Sequence, residues 1–99
     1  MNKEQENINI RMSYSEKFNS ALDADSALND ETNYLLNRFL AADWGDVSGQ
    51  EAADNNEVIN LRKGIVTGKY TALGERICIE LCFEDECNAS LKLRFQNEE

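Results

Sequence analysis

Arg76-Ile77-Cys78-Ile79-Glu80-Leu81-Cys82-Phe83 decides the fold. Ile77, Ile79, Leu81 and Phe83 fall on one side of an extended chain, and Arg76, Cys78, Glu80 and Cys82 fall on the other. A strict period of two marks a β-strand with one face against a core. After it, Glu84-Asp85-Glu86-Cys87-Asn88 reads as an acidic loop, and Ala89, Leu91, Leu93 and Phe95 then alternate with Ser90, Lys92 and Arg94. Before it, Leu73-Gly74-Glu75 reads as a turn, and Ile65–Leu73 as a strand with Val66, Tyr70 and Ala72 on one face and Thr67, Lys69 and Thr71 on the other. Three strands joined by short loops predict an antiparallel meander whose apolar face must be covered by helices.

The helices lie upstream. Glu31–Ala42 carries Leu35, Leu36, Phe39 and Leu40 as a stripe with Tyr34 beside it, and Asn29 or Asp30 can cap it. Gly45 is placed to end it in the left-handed conformation. Ser48-Gly49-Gln50-Glu51 fits a capping box, so a second helix starts there and runs to a stop at Gly64, with Arg62 and Lys63 in its last turn. Its apolar side is thin and Asp54-Asn55-Asn56-Glu57 is wholly polar, which predicts a surface helix. Lys17–Asp30 has helical spacing at Phe18, Ala21 and Leu22, with Asp25 or Ser26 as caps for a short turn of helix leading to Leu28, though strand-then-turn also fits it. Ile8, Ile10, Met12 and Tyr14 alternate with polar residues and predict a half-buried strand at a sheet edge. Residues 1–7 are polar and aperiodic and are expected to be disordered, and 97–99 to be a tail. The expectation is one α+β domain over residues 8–96, with two or three helices on a three- to four-stranded antiparallel sheet.

Charge restricts the function classes. The chain of 99 residues carries 10 bases and 19 acids, a net charge of −9. The imbalance is concentrated in the helical half: from Glu16 to Glu57 only Lys17 and Arg38 oppose Glu16, Asp23, Asp25, Asp30, Glu31, Asp43, Asp46, Glu51, Asp54 and Glu57. Such a field disfavours direct binding to a phosphate backbone and favours encounter with a basic protein surface. The alternative is that it serves solubility alone. Apolar runs are too short to span a bilayer, and the N-terminus has no apolar signal core. The three cysteines, an odd number without such a signal, read as reduced thiols of a cytoplasmic protein.

The candidate chemistries are sparse. Cys78, Cys82 and Cys87 have neither the pairing nor the fourth ligand of a structural zinc site, and there is no histidine in the chain. Without histidine there is also no Ser-His or Cys-His nucleophile pair. No glycine loop suits a phosphate, because Gly64, Gly68 and Gly74 are scattered. Asp43 and Asp46 bracket Trp44 and could be an acid–base pair in a dry pocket. The more ordinary reading makes the aspartates helix caps and Trp44 the plug of a joint between two helices. No catalytic residue, metal or cofactor is expected.

Phe39-Leu40-Ala41-Ala42-Asp43-Trp44-Gly45-Asp46, the polar helix after it, Tyr70 before a turn and Gly74-Glu75-Arg76-Ile77-Cys78-Ile79 together resemble a family of small bacterial proteins carried on plasmids, prophages and other mobile elements. Members have a "GDWGD" joint followed by a "GxRIWI"-like strand. The likeness covers about Leu35–Phe95, with Ala42 where glycine is usual and Cys78 where an aromatic is usual. It brings no activity and no catalytic residue. It implies the genomic company of mobile-element accessory genes, among them inhibitors of host defence.

Together these observations predict a non-enzymatic binding protein for a basic surface on a nucleic-acid-handling host protein, in the manner of a DNA-mimicking anti-CRISPR or anti-restriction inhibitor. The expected surface is Asp43, Asp46, Glu51, Asp54 and Glu57, with Glu84, Asp85 and Glu86 as a second patch. The alternative is a structural or regulatory homo-oligomer built on the C-terminal sheet edge, a homodimer being compatible with either reading. A small hydrolase using Asp43 and Asp46 is a third, and it requires a pocket around Trp44.

Overall fold

The structure, a computed structural model, describes residues 8–98. The expected disordered segment at residues 1–7 lies outside the described residues. At the centre runs β3 (Glu75–Phe83), paired antiparallel with β2 (Gly64–Ala72) on one side and β4 (Asn88–Phe95) on the other. The meander is as the alternation predicts. Leu73 and Gly74, with φ of 53° and 78°, supply the two positive dihedrals that a tight hairpin between β2 and β3 demands.

The N-terminal strand β1 (Asn9–Tyr14) adds to the far side of β4, giving the order β1-β4-β3-β2. It is an edge strand, but it runs parallel to β4, from Asn9 against Asn88 to Tyr14 against Leu93, so the four-stranded sheet is mixed. A parallel partner needs a long crossover, and the whole helical region provides it. All of β1 is exposed, where the alternation predicts a half-buried strand: it is an edge strand, and the helical layer reaches it only at its ends, where Tyr14 stacks on Phe18 and Ile10 lies across a groove from Leu40 and Ile59. The C-terminal strand β4 is interior, and the two edges of the sheet are β1 and β2.

Three helices form the second layer. The first, α1 (Glu16–Ala24), is capped by the Ser15 hydroxyl, which accepts from the Phe18 N–H at 3.2 Å. The next, α2 (Ser26–Leu40), begins five residues before the expected start at Glu31. The cap is Asp25, accepting from the Ala27 N–H at 3.0 Å, and the buried stripe is Leu28, Thr32, Leu35 and Phe39. Leu40 and Tyr34 point to solvent, at 64% and 59% exposure, and Leu36 is only partly buried. Leu35 and Phe39 are buried as expected, Leu40 is not, and Leu28 and Thr32 continue the stripe N-terminally. Ala42 at φ 66°, rather than Gly45, takes the left-handed position after α2. In α3 (Gly49–Leu61) the expected capping box is present: Ser48 N–H donates to Glu51 Oε1 at 2.9 Å and Glu51 N–H donates to Ser48 Oγ at 3.1 Å. Arg62 at φ 54° ends it as a left-handed cap.

The core is one cluster. Phe18, Leu35 and Phe39 from the helices meet Val66, Tyr70, Ile77, Ile79, Leu81, Leu91 and Leu93 from the sheet. Cys78 lies on the opposite face, as its parity requires, yet is 1% exposed. It sits mid-sheet with long side chains, Lys69 and Arg94, as its register partners on both sides. The chain past β4 is anchored: Gln96–Glu98 is a short 3-10 turn whose Glu98 carboxylate accepts from the Ser15 hydroxyl at 2.8 Å and the Phe95 N–H at 2.7 Å. Among the described residues no helix is long and apolar enough to cross a membrane.

Candidate functional site

The Asp43-Trp44-Gly45-Asp46 joint is built into the outer edge of β2. Lys69 donates its N–H to the Trp44 carbonyl at 2.9 Å and accepts the Asp46 N–H at 2.6 Å, a parallel bridge centred on Gly45. A side chain at Gly45 is excluded: its Cβ would lie 2.1 Å from the Lys69 carbonyl oxygen, at a φ of +77°. Next along the edge, the buried Asn55 donates from Nδ2 to the Thr67 carbonyl at 2.8 Å and accepts the Thr67 N–H at 3.2 Å. One side-chain amide thus imitates a neighbouring strand. Together the joint and Asn55 close the edge of β2 along Thr67–Lys69, where an unpaired row of backbone groups would otherwise invite another chain.

Trp44 plugs this joint, 5% exposed, with its ring edge-on to Phe39 at 5.2 Å and its Nε1 donating to Asn56 Oδ1 at 3.2 Å. Below it the Tyr70 hydroxyl donates to the Asp43 carbonyl at 2.7 Å. Burial, and then the nearby Asp43 carboxylate, push the Tyr70 phenol well above its usual range, so it stays a neutral donor. Gly68 makes room for this ring, since a Cβ there would be 2.6 Å from the Tyr70 hydroxyl. The Arg38 guanidinium lies 5.1 Å from the centre of the Tyr70 ring and grips Asp43 through Nε at 2.7 Å and Nη2 at 3.2 Å. That grip, aided by the Gly45 N–H, holds the Asp43 carboxyl below the usual carboxylate range.

The carboxylates singled out in the sequence therefore divide in two. Asp43, Glu51 and Asp85 are engaged locally. Glu51 closes the capping box and reaches Lys69 at 3.4 Å, and the Ser48 N–H followed by the Lys69 charge depresses its pKa. Asp85 holds its own turn by accepting from the Asn88 side chain and from the Cys87 and Asn88 N–H groups, which lower its pKa. Glu84 is paired with Arg11 and accepts from Ser90 Oγ at 2.7 Å. The remaining four, Asp46, Asp54, Glu57 and Glu86, are exposed, and among the described residues only the Asp54 carboxylate has a side-chain hydrogen bond, from Gln50 on its own helix at 2.9 Å.

Helical spacing separates the two groups on α3. Glu51 lies one turn before Asn55 on the side facing β2, while Asp54 and Glu57 project away from it. The two sequence patches also meet. Arg62, the cap of α3, donates from Nη1 to the Glu86 carbonyl at 3.2 Å and ties the β3–β4 loop to the end of that helix. The displayed carboxylates thus run from the joint along α3 to this loop.

Asp43 and Asp46 do not line the groove beside Trp44. Trp44 shares this narrow apolar groove between β1 and the helices, with Leu81 and Phe83 at its floor and Ile8, Ile10, Leu40 and Ile59 on its walls. Neither the groove nor the role of Asn55 is read from the sequence. Asn55 bonds only backbone, which leaves no pairing pattern, and the groove exists because β1 joins β4. Cys82 and Cys87 are exposed and Cys78 is buried, and among the described residues no cluster of three or more Cys, Asp or Glu is placed to hold a metal. No protein-family model, curated protein or solved structure matches this chain.

Proposed function

We infer that this chain is a non-enzymatic binding protein whose displayed carboxylates dock on a basic surface of a nucleic-acid-handling protein of its host. The observation that carries the reading is the division just described. Asp54 and Glu57 are displayed on α3, and Asp46 and Glu86 in the loops before and beyond it; among the described residues none of the four carboxylates is engaged by a basic side chain, on a chain of net charge −9. Carboxylates spaced along a helix present charge to a groove made for phosphates, and a basic groove supplies the countercharge that this surface lacks. Asp43 and Glu51, gripped by Arg38 and by the capping box and Lys69, set the scaffold and are not the contact. The family resemblance fits an inhibitor of host defence, an anti-CRISPR or anti-restriction protein.

The test is capture from host lysate on the immobilised chain, with elution by salt and separately by duplex DNA. A nucleic-acid-handling protein released by both, and not retained by a chain carrying Asp54→Lys and Glu57→Lys, supports the reading. A captured protein that DNA does not displace contradicts it.

A further inference from the structure

The two edges of the sheet are treated in opposite ways. The β2 edge is covered by Asn55 and by the Trp44–Asp46 joint, whereas β1 has no neighbour beyond β4 among the described residues. The Asn9 N–H donates to the Cys87 carbonyl and the Ser15 N–H to the Leu93 carbonyl, so the odd-numbered residues of this parallel strand turn their backbone groups toward β4. By alternation, Ile10, Met12 and Tyr14 turn their N–H and C=O groups outward. Their side chains form an exposed apolar row on the helix side of the sheet, at 41%, 47% and 36% exposure, and Ile10 continues the row into the groove with Leu40 and Ile59. The strand has no proline and no bulge, and its one charged residue, Arg11, points to the face opposite the apolar row.

We propose that β1 is a homodimer interface, at which a second copy of this chain adds its own β1 antiparallel across a two-fold axis through Met12. The register follows from self-complementarity. With Met12 opposite Met12, Ile10 stands opposite Tyr14 of the second copy, and Arg11 opposite its Ser13. Each facing pair among Ile10, Met12 and Tyr14 is then a hydrogen-bonded pair that uses the outward groups on both strands. The apolar rows of both copies fall on the same face, between the two helical layers. The symmetric registers centred on Arg11 and on Ser13 pair Met12 with Ile10 or with Tyr14 alone, and each leaves the third apolar residue of the row without a partner within the facing β1.

Charge does not oppose a second copy of a −9 chain at this edge. The one charge between Asn9 and Tyr14 is Arg11, and it is already neutralised by Glu84. The area sets the strength. A six-residue strand with three apolar side chains is small beside the roughly 800 Å² per partner of a standard interface, so the dimer is expected to be weak and concentration-dependent. Asp54 and Glu57 lie on α3, outside β1, so the dimer test and the docking test use different residues.

Sedimentation of the full chain from low micromolar to several hundred micromolar, at low and high salt, tests this. The expected result is a concentration-dependent dimer that persists in high salt, and a Met12→Lys variant that stays folded by circular dichroism and dissociates more readily by at least about tenfold. A second variant does not depend on that one. Facing Met12 Cα atoms would be about 5.5 Å apart, within disulfide reach. In a background carrying Cys82→Ser and Cys87→Ser, Met12→Cys should therefore cross-link under mild oxidation and Ser13→Cys should not. A monomer throughout the concentration range, a dimer unaffected by Met12→Lys, or cross-linking through Ser13→Cys in preference to Met12→Cys would overturn the proposal.

Discussion

The side-chain amide of Asn55 makes both hydrogen bonds that a neighbouring strand would make with Thr67, donating at 2.8 Å and accepting at 3.2 Å. A residue in the middle of a polar helix is thereby the contact that seats α3 on the sheet. Asn55→Ala removes both bonds and leaves a part-buried backbone pair unsatisfied. It is expected to cost about 2–4 kcal/mol, measured by urea unfolding with Trp44 fluorescence as the probe. Asn55→Asp keeps the acceptor but loses the donor and sets a carboxylate against the Thr67 carbonyl, so it should rescue little of the loss.

Gly45→Ala is expected to be as damaging or more so. The added Cβ meets the Lys69 carbonyl at 2.1 Å in a left-handed backbone, and the bridge to β2 must separate. A loss of at least about 2 kcal/mol, with greater exposure of Trp44 to quencher, is the expected outcome. Ala42 offers the opposite case. It occupies the left-handed position after α2 at φ 66°, a conformation that disfavours a Cβ. Ala42→Gly should stabilise the fold by about 0.5–1 kcal/mol in the same assay, the relief of strain outweighing the greater freedom of the unfolded chain.

The acid side of the stability profile belongs to carboxylates with depressed pKa values. Asp43 is lowered first by Arg38, Glu51 by the Ser48 N–H, and Asp85 by the Asn88 side chain. Each is below its unfolded value, so on acidification the unfolded chain takes up protons first. Their contribution is complete above the unfolded carboxylate range and is lost as pH falls through the folded values. The urea midpoint should hold level through neutral pH and fall below about pH 4, with a shallower fall in Asp43→Asn.

Thiol labelling checks the placement of the cysteines. Cys82 and Cys87 are exposed and should react with a thiol reagent in the native protein, while Cys78, mid-sheet and 1% exposed, should react only on unfolding.

The legible part of this fold is the part governed by local periodicity. Ile77 to Phe83 and Ala89 to Phe95 alternate because one face of each strand is buried, and Ser48 and Glu51 announce a helix start because they satisfy each other. What was not legible depends on partners distant in sequence. The stripe of α2 includes Thr32, whose type gives no sign of burial, and so the helix reads as starting too late. The parallel pairing of β1 is set by where the crossover returns the chain, and Asn55 meets backbone, which has no sequence. The acidic site was half legible. Carboxylate positions are plain in the sequence, but only geometry separates Asp43 and Glu51, held by Arg38, Ser48 and Lys69, from Asp54 and Glu57, which face solvent.

The docking claim is tested most directly by titrating the captured partner with the native chain and with a variant carrying Asp54→Lys, Glu57→Lys and Glu86→Lys, each at low and high salt. The account predicts that the variant binds more weakly by at least about tenfold and with a visibly shallower salt dependence, while its urea midpoint is unchanged. Equal affinity and equal salt dependence in the two proteins would contradict it.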